Sequence, residues 1–272
     1  MPLLAIALAL LVACSSQQPA NSHAPPAPSP TQVVSPQAAS TAARDDAGTA
    51  IESSADAATE ARADVRPAIN ERFLDPKLDV ERWQKNFEGE SREVYAARKE
   101  VLAALQIAPG QSVADIGAGT GFYLLEFAKA VGPSGHVYGV EISPRFLEKL
   151  RARVAKQKVA NASIITGTER SVKLADNSVD AVFICDTYHH FEYPQSTLAS
   201  IRSALRPGGT LTIVDFERIE GKTKPWILEH VRAGQAVFKK EIEAAGFELI
   251  EEPTIAGFKE NYMLRFRVLP RT

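Results

Sequence analysis

Hydrophobic positions recur at two spacings in residues 73–268, and the two spacings alternate along the chain. Short, nearly continuous apolar runs predict strands, while apolar residues three or four positions apart predict amphipathic helices. Strands are predicted at 112–116, 136–142, 163–166, 180–185, 210–215, 247–251 and 262–268. Helices are predicted at 83–105, 123–131, 144–156, 195–205 and 239–245.

The order of these elements predicts the fold class. The first five strands alternate with helices, which favours a parallel, doubly wound sheet. The last two strands follow each other without a clear helix between them, which favours a hairpin with one antiparallel strand. The sequence therefore predicts an α/β fold: a doubly wound, seven-stranded, mostly parallel sheet with an antiparallel C-terminal hairpin strand, preceded by a disordered N-terminal tether.

The tether is predicted from composition. Residues 14–67 are rich in Ala, Pro, Ser and Thr and contain few large apolar side chains. Such a segment cannot bury enough surface to offset the entropy lost on ordering, so a disordered linker is expected. The globular domain is accordingly assigned to residues 68–272.

Residues 1–13 are apolar and end at Cys14. This stretch is too short to span a bilayer but long enough for the apolar region of a signal peptide. The run from Leu11 to Cys14 resembles a bacterial lipobox, in which cleavage precedes a cysteine that is then lipidated. The resemblance implies a lipid anchor on Cys14 and a periplasm-facing location in the cell envelope. No Lys or Arg precedes the apolar run, so the alternative is a cytoplasmic protein without a true signal.

Net charge argues against one class of partner, and the two cysteines argue against a disulfide framework. The formal net charge is -2, so no basic excess exists to follow phosphates, and nucleic acid is not an expected partner. Cys14 and Cys185 lie far apart in different contexts, which argues against a disulfide framework. Cys185 lies in an apolar strand, where a buried, unreactive thiol is favoured over a nucleophile.

A glycine-rich turn follows the first predicted strand, which carries Asp115 near its end. Gly117, Gly119 and Gly121 have the spacing G-x-G-x-G, which differs from the dinucleotide pattern G-x-G-x-x-G. Strand, glycine turn and helix together form a nucleotide-sized site at the carboxyl edge of an α/β sheet. Glu141 ends the second predicted strand, where a carboxylate can accept both ribose hydroxyl hydrogens. The spacing favours S-adenosylmethionine over NAD as the ligand.

Two further motifs follow in order: residues 176–180 before the fourth strand and Pro207-Gly208-Gly209 before the fifth. The whole arrangement resembles the class I, seven-stranded S-adenosylmethionine-dependent methyltransferases over residues 94–268. More narrowly, it resembles a bacterial group of predicted, often exported methyltransferases that carry Asp-Thr-Tyr-His-His-Phe after the fourth strand, here residues 186–191. The resemblance implies S-adenosylmethionine as cofactor and methyl transfer as the reaction.

The resemblance also implies roles for individual residues. The cofactor would be held by the glycine turn, by acids at the strand ends and by residues after the third strand. Asp115 would lie near the methionine amino group and Glu141 at the ribose. Relatives often carry an Asp that contacts adenine where this chain has Thr168, with Glu169 beside it. The candidate cofactor-binding residues are Asp115, Gly117, Ala118, Gly119, Gly121, Glu141, Thr168, Glu169 and Asp186.

The methyl acceptor is expected beyond the ends of the fourth and fifth strands. Asp186, Tyr188, His189 and His190 follow the fourth strand and are the catalytic candidates. Either histidine is a candidate general base, because imidazole titrates near neutral pH; the alternative is that the run only shapes the loop. Tyr188 would either stack on the acceptor or pack in the core.

Three alternatives concern this same edge of the sheet. Asp186 with Asp215 resembles the magnesium site of catechol-type methyltransferases, but Phe216 stands where that site has an Asn ligand, so no metal is expected. The segment that contains His230 either caps the site or forms a surface helix. Trp83, Phe87 and Tyr95 would either cover the cofactor or pack on the sheet, and packing is favoured.

Two functional hypotheses remain open. The first is a methyltransferase that acts on a small-molecule or envelope acceptor. The second is a non-catalytic, S-adenosylmethionine-binding envelope lipoprotein, since this cofactor is made in the cytosol and a lipoprotein would face away from it. The sequence does not identify the acceptor or the oligomeric state.

Overall fold

The computed structural model describes residues 68–270, so the predicted signal peptide, Cys14 and the linker lie outside the described residues. Within 68–270, seven strands form one sheet in the order β3-β2-β1-β4-β5-β7-β6. The strands are β1 (Ser112–Ile116), β2 (His136–Glu141), β3 (Ala162–Thr166), β4 (Val179–Cys185), β5 (Leu205–Phe216), β6 (Phe247–Glu251) and β7 (Asn261–Val268).

Strand pairing confirms the predicted fold class. Strands β1 to β5 pair in parallel, and β7 is antiparallel to both β5 and β6. The strand order reverses at β1, whose neighbours are β2 and β4. Ligands of open α/β sheets bind outside the carboxyl ends of the strands at such a switch point. The topology thus fixes where a site is expected.

The described helices are α1 (Glu71–Leu74), α2 (Val80–Phe87), α3 (Glu93–Ala96), α4 (Arg98–Leu105), α5 (Phe122–Val131), α6 (Pro144–Lys156), α7 (Pro194–Ala204), α8 (Pro225–His230) and α9 (Gln235–Ala244). They cover both faces of the sheet. One core cluster unites Phe127 and Leu150 with Phe183, and another unites Leu198 and Phe238 with the sheet. Within residues 68–270, no helix has the length and apolar character needed to cross a membrane.

The helix predicted over 83–105 is instead three short helices, α2, α3 and α4. Helix α2 ends at Phe87 because residues 88–92 form turns around Gly89, and glycine weakens a helix. Its apolar face packs on Phe146 of α6 through Trp83 and Phe87 rather than on the sheet. The break turns the chain back across the carboxyl edge of the sheet.

Residues 68–96, named here the cover segment, lie over that edge. The Ser143 hydroxyl at the start of α6 donates to the Phe73 carbonyl at 2.6 Å. The Asn70 amide donates to the His190 carbonyl at 3.0 Å and to the Glu192 carboxylate at 3.1 Å. These bonds hold the cover segment to the loops that follow β2 and β4.

The Pro207-Gly208-Gly209 motif lies inside β5 rather than before it. Val179 pairs with Leu205 and Ala181 with Thr210, so residues 206–209 form an excursion between two paired stretches. Gly208 has φ of +77°, a backbone conformation that favours glycine. β5 therefore begins before the motif, is interrupted by it, and continues after it to Phe216.

Candidate functional site

A cavity of about 760 Å³ lies at the carboxyl ends of β1, β2 and β4. Its walls are the glycine turn, the loops after β2, β3 and β4, and the cover segment. Small-molecule and cofactor sites have volumes of roughly this size. Nearly all of the predicted site residues line it, so one enclosure brings together side chains from distant parts of the sequence.

The glycine turn is shaped by its backbone. The amides of Gly117 and Ala118 both donate to the Val140 carbonyl, at 2.8 and 3.1 Å. Gly117 has φ of +71°, and a Cβ there would lie 2.3 Å from Cγ2 of Thr187. Only glycine fits both the conformation and the space. The turn is therefore packed against the loop after β4.

Gly119 and Gly121 have different surroundings. The atoms nearest to a Cβ on Gly119 would be those of the Phe87 ring and the Gly117 carbonyl oxygen, with the closest atom 3.7 Å away. A Cβ on Gly121 would lie 2.5 Å from Cδ2 of Leu150, and this residue does not line the cavity. Gly119 thus presents open space to a ligand, while the predicted ligand role of Gly121 is corrected to helix packing.

Glu141 connects β2 to the glycine turn. Its Oε2 accepts from the Gly119 amide at 2.9 Å, and its Oε1 accepts from the amides of Ile142 and Ser143 at 2.7 and 2.9 Å. Burial raises the pKa of this carboxyl, while the three backbone N–H groups favour the ionised form and oppose that rise. The result is an acceptor-rich carboxylate on the cavity wall.

Asp115 is buried at the base of the glycine turn. Burial and, to a lesser extent, the nearby charge of Glu141 raise its pKa to about 7. A cation placed beside this carboxyl favours the ionised form and so opposes the effects of burial and of the Glu141 charge on the pKa. A ligand amino group is a cation of this kind.

The loop after β3 forms another part of the wall. Thr168 and Glu169 line the cavity together with the apolar side chains of Ile142 and Val172. The Thr168 amide donates to the Ser171 carbonyl at 2.9 Å, and the Thr168 hydroxyl oxygen accepts from the Arg170 amide at 3.3 Å. The hydroxyl therefore takes part in a local turn, and the apolar side chains offer a surface for a planar ring.

Asp186 directly follows β4 and has a left-handed conformation, with φ of +46°. Its carboxylate accepts from the Arg92 guanidinium at 2.6 Å and from the Asn261 amide at 2.7 Å. Burial raises the pKa of this carboxyl, and Arg92 opposes the rise. Sequence reasoning missed Arg92 and Asn261, because no local pattern connects either residue to the loop after β4.

His189 and Asp215 form a buried pair. Nδ1 of His189 lies 2.7 Å from Oδ1 of Asp215, and the His189 amide donates to Oδ2 at 3.1 Å. The Phe216 amide also donates to Oδ1, at 2.7 Å. These bonds hold the Asp215 carboxylate against the loop after β4. An ionised carboxylate only accepts, so Nδ1 is the donor in this pair, and in the neutral imidazole Nε2 is the nitrogen with the free lone pair.

A family profile described as a methyltransferase domain matches residues 107–266, which is more than half of the chain. The chain belongs to this family of methyltransferase domains. The match begins before β1 and ends inside β7, so it contains β1 to β6, most of β7 and the strand-end residues described above. The cover segment lies N-terminal to it.

Curated relatives of this methyltransferase domain differ in the acceptor that their names record. An arsenite methyltransferase of Halobacterium salinarum is 32% identical over 153 residues, which are 53% of this chain and 39% of that protein. A ubiquinone/menaquinone biosynthesis C-methyltransferase of Burkholderia mallei is 31% identical over 118 residues, which are 43% of this chain and 48% of that protein. The chain thus spans less than half the length of either relative.

Solved structures share the fold. A SAM-dependent methyltransferase from Aquifex aeolicus aligns with a TM-score of 0.63 and 25% identity, over 71% of this chain and 100% of that one. Phosphoethanolamine N-methyltransferase 2 of Haemonchus contortus, in complex with S-adenosyl-L-methionine, aligns with a TM-score of 0.60 and 18% identity, over 76% of this chain and 61% of that one.

S-adenosylmethionine is the cofactor of this methyltransferase domain. The residues present fit its chemical parts. Gly119 leaves room for close approach of a ligand to the backbone, Glu141 offers carboxylate oxygens to hydroxyl groups, and Asp115 offers a negative charge to an amino group. Ile142 and Val172 supply apolar contact for a ring system.

Tyr188 is the clearest correction among the catalytic candidates, because its side chain does not line the cavity. The ring is fully buried against Phe191 and Phe238, and the hydroxyl donates to Glu241 at 2.8 Å. Residues 188–190 form a 3₁₀ turn, in which consecutive side chains point about 120° apart. The turn directs Tyr188 into the core, while His189 and His190 reach the cavity.

Proposed function

We propose that this chain is an S-adenosylmethionine-dependent methyltransferase that acts on a small-molecule or envelope acceptor. One observation carries the proposal: the 2.9 Å hydrogen bond from the Gly119 amide to the Glu141 carboxylate, on the wall of a cavity that is also lined by His189, the partner of Asp215. Cofactor-binding groups and a proton acceptor thus share one enclosure. Membership of the methyltransferase domain family supports the same reaction.

The cofactor side of the cavity is formed by β1, β2 and the loop after β3. Glu141 would bind the ribose hydroxyls through oxygens that are already positioned by backbone amides. Asp115 would pair with the amino group of the methionine part, and Gly119 would allow close backbone approach. Phe87 and Trp83 of the cover segment close this side and exclude water.

His189 is the residue best placed to accept a proton. When bound, S-adenosylmethionine supplies a methyl group on a sulfonium, which an acceptor atom takes by direct displacement. An acceptor that loses a proton in reacting needs a base. Asp215 holds the His189 ring through Nδ1 and stabilises the imidazolium that forms when Nε2 accepts the proton.

The acceptor side has aromatic walls. Phe216 and Trp226 stand edge to face with ring centroids 5.1 Å apart, and both line the cavity with His190 and His230. Trp226 is 46% exposed, which is unusual for a large apolar side chain and places it at the mouth of the cavity. These walls favour an acceptor with an apolar or aromatic body.

Arsenite, the substrate in the name of one relative, suits this site poorly. Trivalent arsenic is a soft centre that seeks thiolates. Among residues 68–270 the free thiol is that of Cys185, and burial raises its pKa well above the ordinary range. The part of the chain that the structure describes therefore offers no thiolate cluster for arsenic.

Two measurements test the proposal. Calorimetric titration of the full chain with S-adenosylmethionine should give binding, with a loss of at least about 100-fold in Glu141→Gln, because the ribose hydroxyls lose a charged acceptor. Glu148→Gln, an exposed change on α6, serves as the control and should bind as wild type does. Absence of binding to wild type would refute the cofactor assignment.

Transfer is then measured with methyl-labelled cofactor and a panel of phenols, thiols and amines. Labelled product from wild type, reduced about 100-fold or more in His189→Ala, is the expected result. Binding without transfer to any member of the panel would support the non-catalytic, cofactor-binding alternative.

We also propose that Cys14 is lipidated and anchors the chain in the cell envelope. The support is the lipobox resemblance of residues 11–14 and the composition of residues 14–67. Palmitate labelling of the full chain should give a labelled membrane fraction for wild type and none for Cys14→Ser. An unlabelled wild-type protein in the soluble fraction would refute the anchor and favour the cytoplasmic alternative.

A further inference from the structure

Three histidines from two separate parts of the chain meet at the acceptor side of the cavity. His189, His190 and His230 each place one ring nitrogen so that the three nitrogens lie within 4.8 Å of one another. Their ring centroids are separated by 4.4, 5.0 and 4.9 Å. All three residues line the cavity. Methyl transfer with one base accounts for His189 but leaves the other two unexplained.

The spacing of the nitrogens matches metal coordination. Nε2 of His190 lies 3.2 Å from Nε2 of His230. Two imidazole nitrogens bound to a tetrahedral zinc ion at 2.0–2.1 Å are about 3.3 Å apart. The third nitrogen lies within 4.8 Å of both, so a movement of at most roughly 1.5 Å completes such a site. A small rotation of a side chain provides a movement of that size.

Asp215 supplies the second layer that metal-binding histidines usually have. It accepts from Nδ1 of His189 at 2.7 Å and is fully buried. Histidine ligands commonly donate their other ring N–H to a carboxylate, which fixes the tautomer and directs the lone pair at the metal. For His189 this leaves Nε2 as the ligand atom, so a metal-bound His189 does not act as the base. The ion then takes over that task by lowering the pKa of the bound acceptor. The carboxylate also offsets part of the charge of a bound cation.

Arg72 of the cover segment opposes the site in the present arrangement. Its Nη2 lies 3.4 Å from Nε2 of His230, and the guanidinium has only donors, so that nitrogen acts as an acceptor. The same nitrogen is 3.2 Å from Nε2 of His190. The guanidinium lies over the rings of Phe73 and Trp83 and carries positive charge. A metal ion at His230 therefore has to displace Arg72.

We propose that His189, His190 and His230 bind a divalent transition-metal ion of the zinc type, with a fourth coordination position open to the cavity. Neutral imidazoles suit zinc, copper, nickel and cobalt, and three protein ligands with an open position are typical of catalytic rather than structural sites. The open position takes an anionic oxygen or sulfur ligand. Its use to hold the methyl acceptor rests on the proposed function, whereas metal binding itself does not.

The test uses Co²⁺ as a spectroscopic probe on the full-length chain after treatment with chelator. Wild type should bind one equivalent and develop the visible absorption of a low-coordinate Co²⁺ site, and Zn²⁺ should displace it. His190→Ala and His230→Ala should lose this absorption. The control is the double variant His23→Ala/His136→Ala, which removes the other two histidines of the chain and should retain it. Loss in the control, or no absorption in wild type, would overturn the proposal.

Two further variants test the arrangement of the site. Asp215→Asn should weaken Co²⁺ affinity by about 10- to 100-fold, as expected for a residue that orients a ligand. Arg72→Ala should strengthen it, because it removes a cation from the site. Unchanged affinity in both variants would contradict the assigned geometry.

S-adenosylmethionine titration of the same samples separates the two proposals. Retained cofactor binding in His190→Ala and His230→Ala shows that these variants are folded, so their loss of Co²⁺ then reports the metal site. Co²⁺ binding without cofactor binding would refute the proposed function and leave the metal site standing. Cofactor binding by wild type without Co²⁺ absorption would refute the metal site and leave the proposed function standing.

Discussion

Arg92 and Asp186 form an ion pair, with Nη2 and Oδ2 2.6 Å apart, that joins the cover segment to the end of β4. The Asp186 side chain is 3% exposed and that of Arg92 is 21% exposed. The pair depends on the break between α2 and α3, which brings Arg92 over the sheet edge. Through this pair, the cover segment is held over the cavity by the loop that carries His189 and His190.

Arg92→Ala should destabilise the domain by about 3 kcal/mol, because it leaves the buried Asp186 carboxylate without its cation. Urea denaturation followed by circular dichroism measures the change. Lys129→Ala, which removes a surface pair with Glu126, is the control and should cost less than about 1 kcal/mol. Equal midpoints for the two variants would mean that the Arg92–Asp186 pair does not hold the cover segment.

Gly119→Ala should fold but bind S-adenosylmethionine poorly. Its φ is +53° and the nearest atom to an added Cβ is 3.7 Å away, so the protein itself has room for the methyl group while the ligand does not. Gly208→Ala is the matched control, because φ there is +77°, no atom lies within 4 Å of an added Cβ, and the residue does not line the cavity. Both variants should lose about 1 kcal/mol of stability from backbone strain. Calorimetry should show reduced cofactor affinity only for Gly119→Ala.

Asp115 should make stability fall as the pH rises. Its pKa is about 7 in the folded protein against 3.8 for the free side chain, so folding favours the protonated form. The penalty for ionisation is absent below about pH 4, grows between pH 4 and 7, and is constant above pH 7. The difference in unfolding free energy between wild type and Asp115→Asn, measured by urea denaturation, should follow this course. A flat difference would contradict burial of an ionisable Asp115.

The same carboxyl should make cofactor binding depend on pH. An amino group beside Asp115 requires the ionised form, so affinity for S-adenosylmethionine should rise by up to about tenfold per pH unit between pH 5.5 and 7 and then level off. Calorimetry in buffers of different ionisation enthalpy should detect proton release on binding below pH 7. Asp115→Asn should abolish this pH dependence.

Tyr188→Phe should affect stability and not cofactor binding. The change removes the hydroxyl that donates to Glu241, at a cost of about 1 kcal/mol. Glu241 keeps its bidentate ion pair with Arg232, which limits the loss of stability. Thermal melting and cofactor titration measure the two effects. A strong loss of cofactor affinity with unchanged stability would restore the expectation of a site role for this tyrosine.

The regular elements could be predicted because their signals are local. Helix Pro144–Lys156 and strand Ser112–Ile116 match the predicted bounds, since their apolar spacing matches the side that each one buries. The prediction of a single helix over 83–105 was wrong. Its apolar spacing has the helical period, but the helix is interrupted around Gly89 and its first part packs on Phe146. Helical spacing alone does not say which surface will bury an apolar face.

The sequence by itself determined the α/β sheet, the glycine turn and the acids at the ends of β1 and β2, because strand burial, glycine conformation and strand ends are properties of short segments. Only the tertiary structure decided that Arg92 pairs with Asp186, that Asp215 orients His189, that Tyr188 points into the core and that His230 joins the two other histidines. These relationships depend on side-chain direction in a single 3₁₀ turn and on contacts between residues far apart in the chain. Packing between distant parts of the chain determines these directions and contacts, and no local sequence pattern predicts that packing.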